Sequence, residues 1–282
     1  MKALVTGASG FVGRYLVAAL RDAGWRVLTL DRTPPADFVG DLATVPLRGV
    51  RADVVFHLAG FANPAASLGA AWEAFEANAR GTARLLREAR AGRFVVASSC
   101  QVYGDSDRPH REGDPLRPKN PYSASKLCGE AMALAAGRDV VILRPFNHTG
   151  PGQSDAYVCP RIARQVARAE AGLQPPVVTL GAVAPRLDFF DVRDMVRAYL
   201  LAAEKGRPGE VYNVATGRPV SIGEIGRLLI SMSRLPLRLK ARPGAPTLLT
   251  GDPSKFRSAT GWRAHTPLRQ TLADLLAHER SR

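Results

Sequence analysis

The sequence predicts an α/β fold, a doubly wound parallel sheet with a smaller C-terminal domain. Through the first half of the chain, short apolar runs alternate with helical patterns, which is typical of parallel strands covered by helices on both faces. After Pro145 this pattern breaks into Gly/Pro-rich loops and isolated helices, which indicates a second domain. The 282 residues are enough for two unequal domains with a substantial core.

The elements of the first half follow one another as strand and helix. An apolar run opens the chain, and the helical pattern behind it places its apolar residues on one face. Ligands of parallel sheets bind at the carboxyl ends of the strands, so the residues after each strand are the first candidates for a site. The strands are predicted at residues 3–5, 26–30, 54–57, 93–97 and 140–143, and the helices at residues 11–23, 70–91 and 123–136.

The second half is predicted to contain isolated helices over residues 160–171 and 222–233. A helix over residues 188–203 and a strand over residues 210–213 look like a return to the first sheet. We therefore expect a first domain of residues 1–150, rejoined by residues 186–215, and a second domain of residues 151–185 and 216–282.

Composition and charge narrow the kind of protein. Hydrophobic residues make up 46% of the chain and charged residues 23%, as in globular domains in general. The formal net charge of +14 comes from arginines scattered through every segment, without a basic tail or interleaved basic and aromatic residues. We therefore expect an arginine-rich solvated surface and no nucleic-acid partner.

Hydropathy and cysteine usage bear on location. No apolar run is long enough to span a bilayer, and the first strand begins almost at Met1, so we expect neither a membrane association nor a signal peptide. The three cysteines, Cys100, Cys128 and Cys159, show no metal-ligand spacing and cannot all pair. A reducing cytoplasm and the absence of a metal site fit this usage best.

Three glycines, Gly7, Gly10 and Gly13, follow the first strand at intervals of three residues. Gly7 permits a tight turn, Gly10 lets a diphosphate approach the backbone, and Gly13 lets the helix pack close to the sheet. The helix start, with Phe11 and Val12, offers free N–H groups and a positive dipole end to an anion. This strand–turn–helix context predicts a dinucleotide-binding first domain, which leaves substrate binding to the second.

The second strand ends at Asp31-Arg32, where the choice of dinucleotide is expected to be made. An acidic residue at this place accepts the ribose hydroxyls of adenosine, which favours NAD. Arg32 could instead pair with the 2′-phosphate of NADP, or lie in a surface loop. The sequence leaves NAD and NADP open.

Tyr122-Ser-Ala-Ser-Lys126 places a phenol and an ammonium on one face of a predicted helix. A tyrosine is a poor acid–base catalyst at neutral pH, because its pKa is about 10. A neighbouring Lys⁺ and the charge of a cofactor must lower this pKa by roughly three units, on the order of 4 kcal/mol. Ser98-Ser99 at the end of a strand completes the pattern.

The glycine spacing, the Tyr122/Lys126 pair and the run Ser98-Ser-Cys-Gln-Val-Tyr-Gly104 resemble the extended short-chain dehydrogenase/reductases of the NAD-dependent epimerase/dehydratase family. The resemblance implies a Rossmann-type first domain. It also implies that Ser99 hydrogen-bonds the reacting oxygen, whereas Ser98 is structural. Ser99, Tyr122 and Lys126 would then support hydride exchange between a nicotinamide and a carbinol or ketone carbon.

Further cofactor contacts are implied by the resemblance. Asp41 and Leu42 stand at positions that contact adenine, and residues 58–60 form the strand-end loop beside the diphosphate. Pro145 stands where the family packs a proline against the nicotinamide, while Asn78 is expected to hold the sheet. The expected cofactor contacts are Gly7, Gly10, Phe11, Val12, Gly13, Asp31, Arg32, Asp41, Leu42, Leu58, Ala59, Gly60, Tyr122, Lys126 and Pro145.

Two residues after Ser99 discriminate between the reactions of the family. Sugar 4,6-dehydratases of this family carry a glutamate base where this chain has Gln101, whose amide cannot remove a proton, so dehydration is not expected. Epimerase-reductases of the fucose-synthase type use a cysteine near Cys100 together with a later histidine. Residues 154–157 contain no histidine, so Cys100 is interpreted as a small buried hydrophobe.

Residues 147–153, Asn-His-Thr-Gly-Pro-Gly-Gln, resemble the GDP-4-keto-6-deoxy-D-mannose reductases of the family. The resemblance implies that Asn147 donates to a phosphate of a nucleotide sugar and that Arg242 clamps its diphosphate. His148 is expected to pack the loop and contact the sugar rather than to transfer a proton. Two motifs that contact the nucleotide depart from the family pattern, so the identity of the nucleotide base in the substrate stays open. The expected substrate contacts are Cys100, Gln101, Asn147, His148, Arg161, Arg186 and Arg242.

Together these features predict an NAD(P)H-dependent oxidoreductase that reduces the C4 ketone of a nucleotide-linked 4-keto-6-deoxy sugar. The expected substrate is GDP-4-keto-6-deoxy-D-mannose and the product a GDP-6-deoxy-hexose of the GDP-D-rhamnose type. The alternative is a nucleotide-sugar 4-epimerase with tightly bound NAD. A non-enzymatic relative that senses dinucleotide or binds RNA is more distant, because Tyr122 and Lys126 are both present. By analogy with the family, we expect a homodimer through helices 70–91 and 123–136.

Overall fold

The computed structural model describes residues 1–242 and 244–282; Pro243, within the Arg242-Pro-Gly segment, lies outside the described residues. Among the described helices, none has both the length and the apolar character needed to cross a bilayer. The strands are β1 Lys2–Thr6, β2 Arg26–Asp31, β3 Phe38–Val39, β4 Arg51–His57, β5 Arg90–Ala97, β6 Val140–Pro145, β7 Asn147–Thr149, β8 Val177–Ala182, β9 Arg186–Asp191, β10 Val211–Val214, β11 Pro219–Ser221, β12 Arg238–Arg242 and β13 Leu248–Leu249. The helices are α1 Phe11–Asp22, α2 Ala71–Phe75, α3 Gly81–Glu88, α4 Pro121–Leu134, α5 Val158–Glu170, α6 Val192–Lys205, α7 Ile222–Ser231, α8 Ser254–Thr260 and α9 Leu268–Arg280.

Seven parallel strands form the main sheet in the order β10-β6-β5-β4-β1-β2-β3. Successive side chains of a strand point to opposite faces and enter two different cores. On β1, Ala3 and Val5 lie in the core that α1 and α6 cover, whereas Leu4 lies in the core that α3 and α4 cover. The predicted doubly wound parallel sheet is confirmed, and it brings the carboxyl ends of β1, β4, β5 and β6 to one edge.

Short strands and helices form a second, smaller region. Strands β11, β9 and β13 make one sheet, with β7 also paired to β9, and β12 pairs with β8. Helices α5, α7 and α9 supply a third core that includes Ile162, Ile225 and Leu275. The helices at residues 160–171 and 222–233 were predicted to within two residues of their observed ends. The strands were not, because short strands with mixed side chains show no clear alternation.

The single helix expected over residues 70–91 is wrong. A π-helical turn over Glu76–Arg80 separates α2 from α3. Strand β5 already begins at Arg90, which pairs with Arg51 of β4 in the main sheet. Pairing in the sheet therefore outweighs the helical propensity of this alanine- and arginine-rich segment.

The helix expected over residues 188–203 is wrong at its start, because its first four residues belong to β9. Asp191 ends that strand and caps α6 by accepting a 2.7 Å hydrogen bond from the backbone N–H of Arg193. Strand β9 lies in the second sheet, whereas α6 packs on the first and β10 pairs with β6. The division of the chain into two domains stays a prediction.

Candidate active site

The chain turns sharply between β1 and α1, where Gly7 has a left-handed φ of +70°. A Cβ at Gly7 would lie 2.7 Å from the backbone nitrogen of Ala59, and one at Gly13 would lie 2.0 Å from the carbonyl oxygen of Gly7. Helix α1 begins after Gly10 without a side-chain cap and without an acidic residue in its first turn. This open N-terminus and the glycine cradle fit the diphosphate of a dinucleotide.

The carboxylate of Asp31, at the end of β2, lies beside this turn. It accepts 2.8 Å hydrogen bonds from the backbone N–H groups of Ser9 and Arg32. The side chain of Arg32 is exposed. Both proposed modes of adenosine recognition, ribose hydroxyls on Asp31 and a 2′-phosphate on Arg32, are therefore compatible with the geometry. Of the expected adenine contacts, Asp41 is exposed and Leu42 is buried.

A buried histidine holds the loop after β4 against the same turn. The Nδ1 of His57 lies 2.8 Å from Thr6 Oγ1 and its Nε2 lies 2.8 Å from Thr82 Oγ1. Thr6 Oγ1 also accepts a 3.2 Å hydrogen bond from the N–H of Ala59. Burial, assisted by the charge of Lys126, lowers the pKa of His57 to about 3, so the ring is neutral at neutral pH. These bonds fix the loop that carries the expected diphosphate contacts.

Asn78 supports this loop from the other side. Its Nδ2 donates to the carbonyl of Phe61 at 3.1 Å and to Ser125 Oγ at 2.9 Å. A Cβ added at Gly60 would lie 2.3 Å from Asn78 Oδ1, so loop and side chain are closely packed. Asn78 thus ties the loop to α4, and the expectation that it holds the sheet is wrong.

The proposed triad of Ser99, Tyr122 and Lys126 lies at the carboxyl end of β5. Helix α4 starts in a capping box at Asn120, and this start puts Tyr122 and Lys126 on one face of its first two turns. Lys126 Nζ donates a 3.0 Å hydrogen bond to the carbonyl of Ala97, the last residue of β5. Two residues further on, Ser99 is close enough to Tyr122 to lower the pKa of that phenol.

Burial governs the protonation of this cluster. It raises the pKa of Tyr122 above that of an ordinary phenol, and the hydrogen bond to Ser99 opposes this effect only in part. Burial also lowers the pKa of Lys126 to about 8, against the opposing charge of Glu130. The lowered tyrosine pKa expected from the sequence is therefore not a property of the protein alone. The phenol is therefore protonated in the protein alone, and a nearby positive charge must lower its pKa before it can give up the proton readily.

The two residues after Ser99 are placed as packing and positioning groups. Burial raises the pKa of the Cys100 thiol to about 12, so this side chain is neutral at neutral pH. Gln101 accepts a 3.3 Å hydrogen bond from Asn120 Nδ2, and its N–H donates to Ser99 Oγ at 3.2 Å. Across residues 1–242 and 244–282, no three His, Cys, Asp or Glu side chains gather as metal ligands.

On the substrate side, Asn147 buries its Nδ2 without a hydrogen-bond partner in the described part of the chain. A buried donor of this kind is costly unless a ligand supplies the acceptor, so Asn147 fits an oxygen of a substrate. The ring of His148 stacks on Phe11 at 6.1 Å with an interplanar angle of 1°, and its Nδ1 lies 3.1 Å from the carbonyl of Phe146. Burial lowers the pKa of His148, as suits a packing role.

The three arginines expected at the substrate lie on different elements. Arg161 is on α5, Arg186 begins β9 and Arg242 ends β12. Arg186 is already engaged by Glu224 at 3.4 Å and by the carbonyl of Pro219 at 2.9 Å. Because they are spread over the second region, their contact with one ligand stays a prediction.

Tyr157 is a candidate that sequence reasoning missed. Its hydroxyl donates a 2.9 Å hydrogen bond to the carbonyl of Ala62, so it joins the segment before α5 to the loop after β4. It is also close enough to Tyr122 to influence the pKa of that phenol. The available signal was its place in the segment where epimerase-reductases of the fucose-synthase type carry a histidine.

Comparison with known proteins finds relatives that match almost the whole chain. The model of the NAD dependent epimerase/dehydratase family matches residues 3–215. The GDP-6-deoxy-D-mannose reductase of Pseudomonas aeruginosa is 35% identical over 308 residues, which cover 99% of this chain and 97% of that protein. The structure of RMD from Pseudomonas aeruginosa complexed with NADPH has a TM-score of 0.87 at 33% identity, covering 99% of each chain. The structure of MoeE5 in complex with UDP-glucose and NAD has a TM-score of 0.90 at 33% identity, covering 100% of this chain and 99% of that one.

Proposed function

Because this chain belongs to the NAD dependent epimerase/dehydratase family and is an NAD(P)-dependent oxidoreductase, we propose that it reduces the C4 ketone of a nucleotide-linked 4-keto-6-deoxy sugar. The substrate in this proposal is GDP-4-keto-6-deoxy-D-mannose, and the product is a GDP-6-deoxy-hexose of the GDP-D-rhamnose type. The similarity to a GDP-6-deoxy-D-mannose reductase supports this reaction class. MoeE5 was solved with UDP-glucose, so the nucleotide base is a variable that the experiment must include.

The arrangement of buried Tyr122 one turn from Lys126 on α4, with Lys126 bonded to the end of β5 that carries Ser99, is the observation that carries the proposal. Tyr122 delivers a proton to the oxygen at C4, because burial keeps its hydroxyl protonated through the neutral range. Ser99 orients the carbonyl, and the ammonium of Lys126 stabilises the phenolate that forms as the proton leaves. The glycine turn, Asp31 or Arg32, and Pro145 would hold NAD(P)H, which would supply the hydride.

The reaction can be tested with enzymatically prepared 4-keto-6-deoxy sugars. The purified protein is mixed with NADH or NADPH and with the GDP-, dTDP-, UDP- or CDP-linked ketone, and absorbance at the nicotinamide band is followed. We expect cofactor oxidation, fastest with the GDP-linked ketone. Oxidation with none of the four ketones would contradict the proposal, and C4 epimerisation by bound NAD without net oxidation would identify the 4-epimerase alternative.

We further propose that the protein is a cytoplasmic homodimer that pairs through α2 and α4. Apolar side chains are exposed on both helices, with Trp72 at 68%, Met132 at 49% and Leu134 at 44% exposure. An exposed apolar patch is a common sign of a protein interface. Trp72→Glu combined with Met132→Glu should halve the mass in light scattering, whereas Leu173→Glu, at an exposed site in the turn after α5, should leave it unchanged. An unchanged mass in the double variant would exclude this interface.

A further inference from the structure

A buried ion pair lies directly behind the proposed triad. Glu130 on α4 and Arg144 on β6 have side chains that are only 3% and 5% exposed. Arg144 binds the carboxylate with two nitrogens, Nη2 at 2.6 Å from Oε2 and Nε at 2.9 Å from Oε1. A buried pair of this kind offers little net stability over apolar side chains of similar size, so its presence calls for another explanation.

The pair is joined to the strand that carries Ser99. The Oγ of Ser98 donates to Glu130 Oε1, so the carboxylate holds the residue next to Ser99. On the opposite side, Arg144 Nη1 donates to the hydroxyl of Tyr103 at 2.9 Å. Every hydrogen-bonding atom of the carboxylate is thereby committed to groups at the ends of β5 and β6.

Glu130 follows Lys126 by four residues, so the two side chains stand one turn apart on the same face of α4. Lys126 holds the carbonyl of Ala97 at 3.0 Å, and Glu130 holds the hydroxyl of the next residue, Ser98. The end of β5 is therefore clamped to α4 at two successive residues. Ser99 is the first residue beyond this clamp.

We propose that Glu130 is a positioning residue for the reaction: it clamps the end of β5 so that Ser99 faces Tyr122. Its buried carboxylate also stands one turn from Lys126 on the same face of α4, where it favours the charged ammonium. The inference rests on the proposed function for its effect on catalysis. The clamp and the electrostatic effect on Lys126 are properties of the protein without substrate. They can therefore be measured separately.

The groups that face Lys126 make the sign of the effect definite. On α4 these are Tyr122, which is neutral, and Glu130, whose charge raises the pKa of Lys126 against the larger lowering by burial. On β4 it is His57, which is neutral above a pKa of about 3. Arg144 on β6 faces the carboxylate. Removing the charge of Glu130 must therefore lower the pKa of Lys126.

The test follows Lys126 directly by NMR in ligand-free protein labelled with carbon-13 at the lysine side chains. The chain has six lysines, and a Lys126→Arg variant assigns the resonance. We expect Glu130→Gln to lower the titration midpoint of Lys126 by roughly half a unit or more. The matched control is Glu170→Gln. Glu170 lies on α5, and its carboxylate is also bound by an arginine, Arg280, at 2.7 Å. Removing this second ion pair should leave the titration midpoint of Lys126 unchanged.

Since Glu130→Gln leaves Arg144 buried without its counterion, the double variant E130L/R144M serves as the version that keeps the fold. It should also show the lowered midpoint. In the reductase assay, kcat should begin to fall at a lower alkaline pH in both variants than in wild type, because Lys126 loses its proton at a lower pH. Ser98→Ala removes the hydrogen bond of the clamp and keeps the charge of Glu130. It should lower kcat by ~10-fold or more without changing the pH at which kcat falls.

A wild-type midpoint for Lys126 in a folded Glu130→Gln or E130L/R144M protein would overturn the electrostatic part of the proposal. An unchanged kcat in Ser98→Ala would overturn the clamp. Failure of the wild-type protein to reduce any 4-keto sugar would instead contradict the proposed function, while the NMR result would still decide the role of Glu130 toward Lys126.

Discussion

Among single residues, Tyr122 shows how burial sets the protonation state from which a proton transfer would start. Its phenol is buried, and the nearby Ser99 offsets the effect of burial on its pKa only in part. The phenol therefore starts the reaction as an acid, which is what the reduction of a ketone requires. Oxidation of an alcohol would require the phenolate, which a nearby positive charge must first stabilise.

Replacing Tyr122 with Phe removes the proton donor and keeps the ring. We expect kcat for ketone reduction to fall by about 10²–10⁴-fold, with little change in the affinity for NAD(P)H measured by its fluorescence. Tyr212→Phe is a matched control, because Tyr212 is also buried but lies on β10. Retention of most of the activity in Tyr122→Phe would show that another group supplies the proton.

Asp31 and Arg32 allow the preference between NADH and NADPH to be measured. Arg32 is exposed and adjacent to the carboxylate that lies beside the glycine turn. Arg32→Ala should weaken NADPH binding by ~10-fold without changing NADH binding, because only NADPH has a 2′-phosphate. Asp31→Asn should shift the ratio of the two dissociation constants toward NADPH. If neither variant changes that ratio, adenosine is recognised elsewhere.

Among the elements, α1 and the turn before it form the most tightly constrained unit. Gly13→Ala would place a Cβ 2.0 Å from the carbonyl oxygen of Gly7. Helix and turn must then separate, so we expect a loss of about 1–3 kcal/mol in the free energy of unfolding and weaker NAD(P)H binding. Gly69→Ala is the control, since nothing lies within 4 Å of its added Cβ. A fully stable Gly13→Ala protein that binds cofactor normally would refute this account.

The elements of the main sheet were predictable because their signal is local. A buried parallel strand such as β6 begins with a continuous apolar run, Val140–Leu143, and Gly7 and Gly13 mark the turn that follows the first strand. Short strands such as β9 depend on partners far along the chain, and the start of β5 at Arg90 depends on its pairing with β4. Such pairings leave little trace in the local sequence.

For the molecule as a whole, the site is assembled from segments that the sequence does not connect. The residues of the triad stand in recognisable motifs, so resemblance could single them out. Tyr157 and Glu130 acquire their roles through tertiary contacts with Ala62 and Ser98, and no local pattern announces those contacts. Motifs therefore single out the groups proposed to react, while the groups proposed to position them are visible only in the fold.

His57 makes the stability of the whole molecule depend on pH. Unfolded, its ring binds a proton below its ordinary pKa of 6.5, but in the fold it does so only near a pKa of about 3. Its contribution is complete above pH 6.5 and is lost progressively as the pH falls toward 3, by roughly 1.4 kcal/mol per pH unit.

Urea unfolding between pH 7 and pH 4.5 measures this loss. The stability advantage of wild type over His57→Gln should shrink as the pH falls, since only wild type carries the titrating ring. His265→Gln, at an exposed position, should run parallel to wild type. A constant difference between wild type and His57→Gln would contradict the burial of a neutral ring.

The position of β10 has a consequence for how the protein is made. Its residues, Val211–Val214, form the edge of the main sheet beside β6, all six of whose residues are buried. While residues 146–210 are being added by the ribosome, roughly 3–13 s at ~5–20 residues per second, the nascent chain carries β6 with one side unpaired. Such an edge is prone to pair with other chains. We therefore expect residues 1–150 produced without β10 to expose the edge of β6 and to aggregate more readily than the whole chain.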